Sequence, residues 1–215
     1  MAVITPALLA ETAEDYKAQI ERLQPFAERV HIDITDGEFA PHFTVAAAQL
    51  WWPGNWEVDI HAMVTRPSDH VQALIDLKPR MIIFHAEASE DLVPTLRQVK
   101  QAGIKAGVAL LRSTVPETVR PAIEAADHVM IFSGNLGEYG GTANMMQLEK
   151  VRLVKMIRDD VEIGWDGGVR ADNVFSLVQG HVDVLNAGGA IAGAQDSADA
   201  YKALVGELTR HGVAA

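Results

Sequence analysis

The feature of this chain that most restricts its fold is one alternation repeated from end to end: a short run rich in valine and isoleucine, then a longer stretch of helical periodicity. Eight runs read as strands, at 3–8, 29–34, 56–61, 80–85, 104–110, 127–132, 161–165 and 182–187. Helical patterns follow most of them. The segment 11–28 sets Tyr16, Ile20 and Leu23 at three- and four-residue intervals, an apolar stripe suited to packing on a sheet. Similar stripes lie at 68–77, 91–102, 117–126, 146–158, 171–179 and 198–210, and a weaker helix is expected over 45–52. Eight strand-then-helix units without a linker or composition break fit one closed α/β barrel, a (β/α)8 TIM barrel spanning 1–215 as a single domain. An open doubly wound sheet usually has only about five or six strands.

A large open sheet would also accommodate eight units, so the position of the unusual polar residues decides. Asp33, His61, His85, Ser133 and Asp166 all fall at or just after the carboxyl end of an expected strand. In a barrel those ends converge on one mouth, where active sites of this fold are built.

Composition narrows the chemistry. At 48% hydrophobic and 22% charged residues the balance is that of a globular protein. No stretch approaches the roughly 18 apolar residues of a membrane span, and the start lacks the basic and apolar regions of a signal peptide. A soluble cytoplasmic protein with no membrane partner is expected. With no cysteine, disulfides and thiolate ligands are excluded, so a metal site would be built from histidine and carboxylate. The net charge of −11 argues against a nucleic-acid partner, which would need clustered Lys and Arg. A small phosphate is different, because backbone N–H groups in a glycine-rich nest can bind it whatever the total charge.

His31 and Asp33 are two apart in an expected strand and so project from the same side of it. Buried and unpaired, they would cost several kcal/mol, roughly, which either a metal or a hydrogen-bonded structural pair would offset. His61 at the end of the third strand and Asp166 at the end of the seventh complete a set of four N/O ligands converging on the mouth. Divalent Zn, Fe, Mn or Co would each accept two imidazoles and two carboxylates. Three glycine-bearing segments follow: Ser133–Thr142, Asp166–Gly168 and Asn186–Gly193. Barrels often bind phosphate with the loops after strands seven and eight and a short extra helix, which Gly189–Gly193 can open; each segment also reads as a tight turn.

The ordered motifs resemble those of ribulose-phosphate 3-epimerases. They are HIDITDGEFAPHFT (His31–Thr44), DIHAMV (Asp59–Val64), HAEA (His85–Ala88), KAGVAL (Lys105–Leu110), the glycine-rich loop after the sixth strand, WDGGV (Trp165–Val169) and NAGGAI (Asn186–Ile191). The resemblance covers nearly the whole chain. It implies that His31, Asp33, His61 and Asp166 hold a catalytic divalent metal and that Asp33 and Asp166 also act as the acid/base pair. It implies substrate and phosphate contacts at Gly140, Gly141, Gly167, Gly168, Gly188 and Gly189, with His61 touching substrate and Met63 lining the site; His85, at a strand end beside that site, reads either as its support or as a satisfied structural histidine. The substrate would be a small phosphorylated ketose, inverted at C3 by two carboxylates on opposite faces of a planar enediolate.

Several positions depart from that family's pattern. Ala7 stands where a serine is usual, Thr35 and Phe132 replace two of three methionines, and Leu111-Arg112 replaces Asn-Pro. The loop after the sixth strand reads NLGEYGG with one inserted residue, and Gly189 replaces a serine. Metal and acid/base residues are intact; the wall facing the substrate is altered. A sister epimerase or isomerase of another sugar phosphate, or a noncatalytic metal-retaining descendant, therefore stays open. Barrels resembling orotidine-phosphate decarboxylase fit less well, because Asp-Ile-Thr-Asp-Gly lacks their lysine. His42, His70, His128, His181 and His211 read as surface or loop residues. Trp51, Trp52 and Trp56 read as packing or as the contact of a homo-oligomer.

Overall fold

Each of the eight apolar runs is a strand in the computed structural model, which describes residues 2–210. The strands are β1 (Val3–Leu9), β2 (Arg29–Thr35), β3 (Glu57–Met63), β4 (Met81–His85), β5 (Lys105–Leu110), β6 (His128–Phe132), β7 (Glu162–Asp166) and β8 (Val184–Ala187). Every neighbouring pair is parallel, and β8 returns to pair with β1 through Val3↔Val184 to Pro6↔Ala187, which closes the barrel. The helices are α1 (Ala13–Leu23), α2 (Pro67–Asp76), α3 (Leu92–Gln101), α4 (Arg120–Ala125), α5 (Glu149–Ile157), α6 (Ala171–Gln179), α7 (Gly189–Ala192) and α8 (Ser197–Arg210). His211 lies outside the described residues.

Local chemistry sets the helix starts. The Thr12 hydroxyl accepts from Asp15 N at the head of α1, and Asp91 accepts from Val93 N at the head of α3. The stripe Tyr16, Ile20 and Leu23 is buried as its spacing requires. Burying an aliphatic side chain of that kind contributes about 1.5–3 kcal/mol, and the main core is this layer between strands and helices.

The expected helix over 45–52 is not formed; only a 3-10 turn at Ala47–Gln49 is present. Tertiary bonds hold the segment across the first unit instead. Val45 N donates to Ala10 O, and the Tyr16 hydroxyl donates to Trp51 O, with the Tyr16 and Trp51 rings edge to face at 6.4 Å. Val45 and Leu50, the buried pair, are five apart and cannot share one helical face.

Alternate residues of each strand point into the barrel, and they form layers. Met81, Ile83, Ala109, Met130 and Phe132 make a small apolar cluster separate from the outer core. At the amino ends of the strands the interior is ionic. Arg29 and Arg80 both contact Asp59, at 2.7 and 2.9 Å, and both reach Glu162, at 3.2 and 3.5 Å. His128, expected at the surface, is buried in this layer with Nδ1 2.8 Å from Glu162 Oε2. Gly164 makes the room, since a Cβ there would lie 2.4 Å from His128 Nε2.

Burial favours protonation of Glu162, but His128 and Arg29 outweigh it and hold the carboxyl well below its ordinary range. The contribution is therefore complete above about pH 4.5, the ordinary value, and is lost as pH falls toward the depressed folded one. Glu162→Gln is expected to cost about 2–3 kcal/mol at pH 7, because it leaves buried cations partly unpaired. Urea unfolding at pH 7 and at pH values below the ordinary glutamate range measures it. The gap between variant and wild type should narrow in acid, and a gap independent of pH would contradict the ionic origin.

Candidate active site

The opposite end of the barrel gathers the site. His31 and Asp33 extend from β2, His61 from β3 and Asp166 from β7. Asp33 and His61 are register partners on adjacent strands, so their side chains meet directly. His61 Nδ1 lies 2.7 Å from Asp33 Oδ1 and 3.7 Å from Asp166 Oδ2. His31 Nε2 lies 3.2 Å from Asp33 Oδ1 and 3.7 Å from Asp166 Oδ2. One ligand-type atom from each of the four falls within 4.8 Å of the other three.

This arrangement fits a cation. Ligand bonds of about 2.0–2.2 Å put ligand atoms roughly 3–4 Å apart around an ion, and the separations above match. Both ring nitrogens of the fully buried His31 lack a hydrogen-bond partner of acceptable geometry, although a carboxylate stands beside Nε2. A buried imidazole left so is costly unless something binds it. Two imidazoles and two carboxylates are the donor set of a divalent ion.

The surroundings of the two carboxylates differ sharply. Burial and the neighbouring charge of Asp33 push Asp166 up to about 6. Burial also works to raise Asp33, but the His31 charge beside it and the hydrogen bond with His61 Nδ1 hold it well below the usual carboxylate range. Burial opposes charging His31, yet Asp33 and then Asp166 lift it above its ordinary value. His85, fully buried behind His61, is pushed down to about 4 by burial and stays neutral.

Asp33 and Asp166 line a cavity of about 30 Å³ together with Met63, Phe132, Ala7 and Asn186. Gly140, Gly141, Gly167, Gly168, Gly188 and Gly189 all line it as well. His31, His61 and His85 sit behind this lining, buried. Gly167 (φ +100°) and Gly168 (φ +73°) take a conformation that glycine favours, fixed by Trp165 Nε1 donating to Gly167 O and Asn173 Nδ2 donating to Gly168 O. The glycine-rich loop after β6 is anchored where Ser133 Oγ accepts from Asn144 N at 2.7 Å.

Departures from the family pattern cluster on this wall. Ala7, Phe132 and Gly189 face the cavity, whereas Thr35 is turned away and its hydroxyl donates to His42 O. Tyr139, in the loop that carries the extra residue, is a wall residue that sequence reasoning did not single out. Its hydroxyl accepts from Leu9 N and lies 2.7 Å from Gln19 Oε1, and its ring covers Gly188, where a Cβ would lie 2.7 Å from Cδ1. Asn186, placed in a motif but given no role, also enters the lining, and its Oδ1 has no partner. An aromatic residue within a glycine-rich loop was the available signal for Tyr139; nothing local marked Asn186.

Among solved structures, the fold matches 3-hexulose-6-phosphate synthase from Salmonella typhimurium, with a TM-score of 0.70 at 19% identity over 97% of this chain and 99% of that one. It also matches 3-keto-L-gulonate-6-phosphate decarboxylase from Vibrio cholerae, with a TM-score of 0.70 at 14% identity over 97% and 98%. These likenesses establish the barrel alone. Sequence relatives are more specific. Ribulose-phosphate 3-epimerase of Aquifex aeolicus is 28% identical over 204 residues, 91% of this chain and 92% of that protein. The cytoplasmic isoform of Oryza sativa subsp. japonica is 31% identical over 212 residues, 94% and 92%. The model of the ribulose-phosphate 3 epimerase family matches residues 3–192, from the first residue of β1 to the last of α7. A match that spans every strand of the barrel, with relatives aligned over nearly the whole chain, shows that this protein belongs to the ribulose-phosphate 3-epimerase family of isomerases.

Proposed function

We propose that the chain is a metal-dependent ketose-phosphate 3-epimerase that interconverts D-ribulose 5-phosphate and D-xylulose 5-phosphate, in the cytoplasm like the rice relative. The observation that carries this reading is the pairing of Asp33 and Asp166: carboxylates from separate strands that line one cavity and share the same two imidazoles. Inverting a carbon beside a carbonyl means removing its proton from one face and delivering a proton to the other. Asp33 and Asp166 are assigned those two transfers. His31, His61 and both aspartates would hold the ion. When bound, it supplies Lewis-acid stabilisation of the negative charge that develops on the substrate oxygens.

Gly140, Gly141, Gly167, Gly168, Gly188 and Gly189 are assigned to the phosphate end, where absence of side chains lets backbone N–H groups approach an anion. Met63 and Phe132 supply the apolar wall beside the carboxylates. The loop after β6 forms one wall of the cavity, and its Gly137, Gly140 and Gly141 all have positive φ.

The test is to incubate the protein, loaded separately with zinc, iron, manganese or cobalt, with ribulose 5-phosphate in heavy water and follow deuterium at C3. Wash-in with conversion to xylulose 5-phosphate is expected, and exhaustive chelation should reduce both at least about 100-fold, restored by adding metal back. Full activity in rigorously metal-free protein would contradict the metal's role. Wash-in with some other ketose phosphate alone would move the assignment to a sister activity, which the altered wall at Ala7, Phe132 and Gly189 makes the second reading.

A further inference from the structure

Behind the four ligand-type residues runs a buried chain of hydrogen bonds that ends on a carboxylate with no part in proton transfer. His61 Nε2 lies 2.9 Å from His85 Nε2, and His85 Nδ1 lies 3.3 Å from Glu87 Oε2. The other carboxylate oxygen, Glu87 Oε1, accepts from Leu111 N at 2.9 Å and from the Thr114 hydroxyl. The rings of Phe39 and Phe132 pack on His85 at 4.7 and 5.4 Å and hold it in line.

The order of protons along this chain follows from its ends. The nitrogen of His61 that faces the two aspartates is Nδ1, so that atom must be bare to accept a cation, and the ring's proton then resides on Nε2. That N–H must donate to His85 Nε2, which leaves the His85 proton on Nδ1. Glu87 is an acceptor only, and it receives that proton's hydrogen bond. Every link agrees in direction only when residue 87 is a carboxylate.

We infer that Glu87 is a positioning residue for metal capture: through His85, its carboxylate holds His61 in the tautomer whose Nδ1 is free to bind the ion. This rests on the reading that His31, Asp33, His61 and Asp166 hold a cation. It assigns to the chain a contribution to affinity from a residue that touches neither metal nor substrate.

Glu87→Gln discriminates sharply because it keeps the shape and reverses one bond. Leu111 N and the Thr114 hydroxyl both donate, so the amide oxygen turns toward them and the NH2 group faces His85 Nδ1. His85 must then carry its proton on Nε2 and donate to His61 Nε2. The His61 proton moves to Nδ1, the atom the cation needs.

The experiment measures zinc affinity by competition with a chelator and reads histidine tautomers by nitrogen-15 NMR of the wild type with and without zinc and of the metal-free variant. Wild type should show His61 protonated at Nε2 and His85 at Nδ1. Glu87→Gln should bind zinc at least about tenfold more weakly and carry the His85 proton on Nε2, while its metal-free form melts with a transition as cooperative as the wild type's. Zinc affinity within about twofold of wild type, or an unchanged His85 tautomer, overturns the inference alone. A wild-type chain that captures no zinc or other divalent ion overturns the metal reading and this inference with it. Should the variant fail to fold, the wild-type tautomers still decide: a His85 proton on Nε2 refutes the relay.

Discussion

Asp33→Asn and Asp166→Asn are each expected to reduce both turnover and deuterium wash-in at C3 by at least about 10³-fold, since general acid–base groups alone contribute about 10²–10⁴-fold and each aspartate is also assigned to hold the ion. The losses should not be additive. Each variant removes one of two transfers that must both occur, so the double variant should be little worse than either single one. Asp166→Asn should fold as the wild type does, because an amide is the same size and removes a buried charge already pushed up to about 6 by burial and by Asp33, whereas Asp33→Asn gives up the charge that His31 stabilises and should melt lower. Circular dichroism separates lost chemistry from lost structure. Undiminished wash-in with either variant would end the two-base assignment, even if the metal remained bound.

Gly167→Ala is expected to be nearly as damaging, through geometry instead of chemistry. A Cβ at this position would lie 2.1 Å from Gly134 N and 2.4 Å from Gly134 Cα, and the backbone there has φ +100°. Both neighbours are main chain, so no side chain can rotate away. The loops after β6 and β7 must separate, at a cost of about 3 kcal/mol or more from overpacking and strain together. Asp166 is the preceding residue, and a displacement of about 1 Å in a reacting group can cost about 10²-fold in rate. A fall in melting temperature together with at least that loss of turnover is the expected pair of results. Wild-type activity in the variant would mean that the close approach of the two loops is not needed.

The barrel was legible because its strands are unambiguous: short Val- and Ile-rich runs punctuated by turns, with helical stripes such as Tyr16, Ile20 and Leu23 between them. Residues 45–52 misled because Ala-Ala-Ala-Gln-Leu has good helical propensity, and propensity yields to tertiary bonds such as Val45 N to Ala10 O. His128 misled for a different reason. It opens its strand, where a polar residue ordinarily meets solvent, and its partner Glu162 lies on the next strand, far along the chain. The clustering of Asp33, His61 and Asp166 followed from strand ends that share one mouth, His31 joined them because it lies two residues before Asp33 on the same face, and the family resemblance named all four together. Tyr139 and Glu87 did not follow, because their importance lies in distant partners, Gln19 and His85 with Leu111, that no spacing discloses.

The β1–β8 seam bears on how the molecule is assembled. All other strand pairs join segments adjacent in sequence, whereas this one unites the first strand with the last. Until β8 docks, β1 and β7 each present a bare margin of backbone donors and acceptors, flanked by apolar side chains that would template pairing with another chain. The four residues Val184–Ala187 thus act as a clasp: a nascent or truncated chain lacking them carries two sticky borders, and their arrival removes both at once.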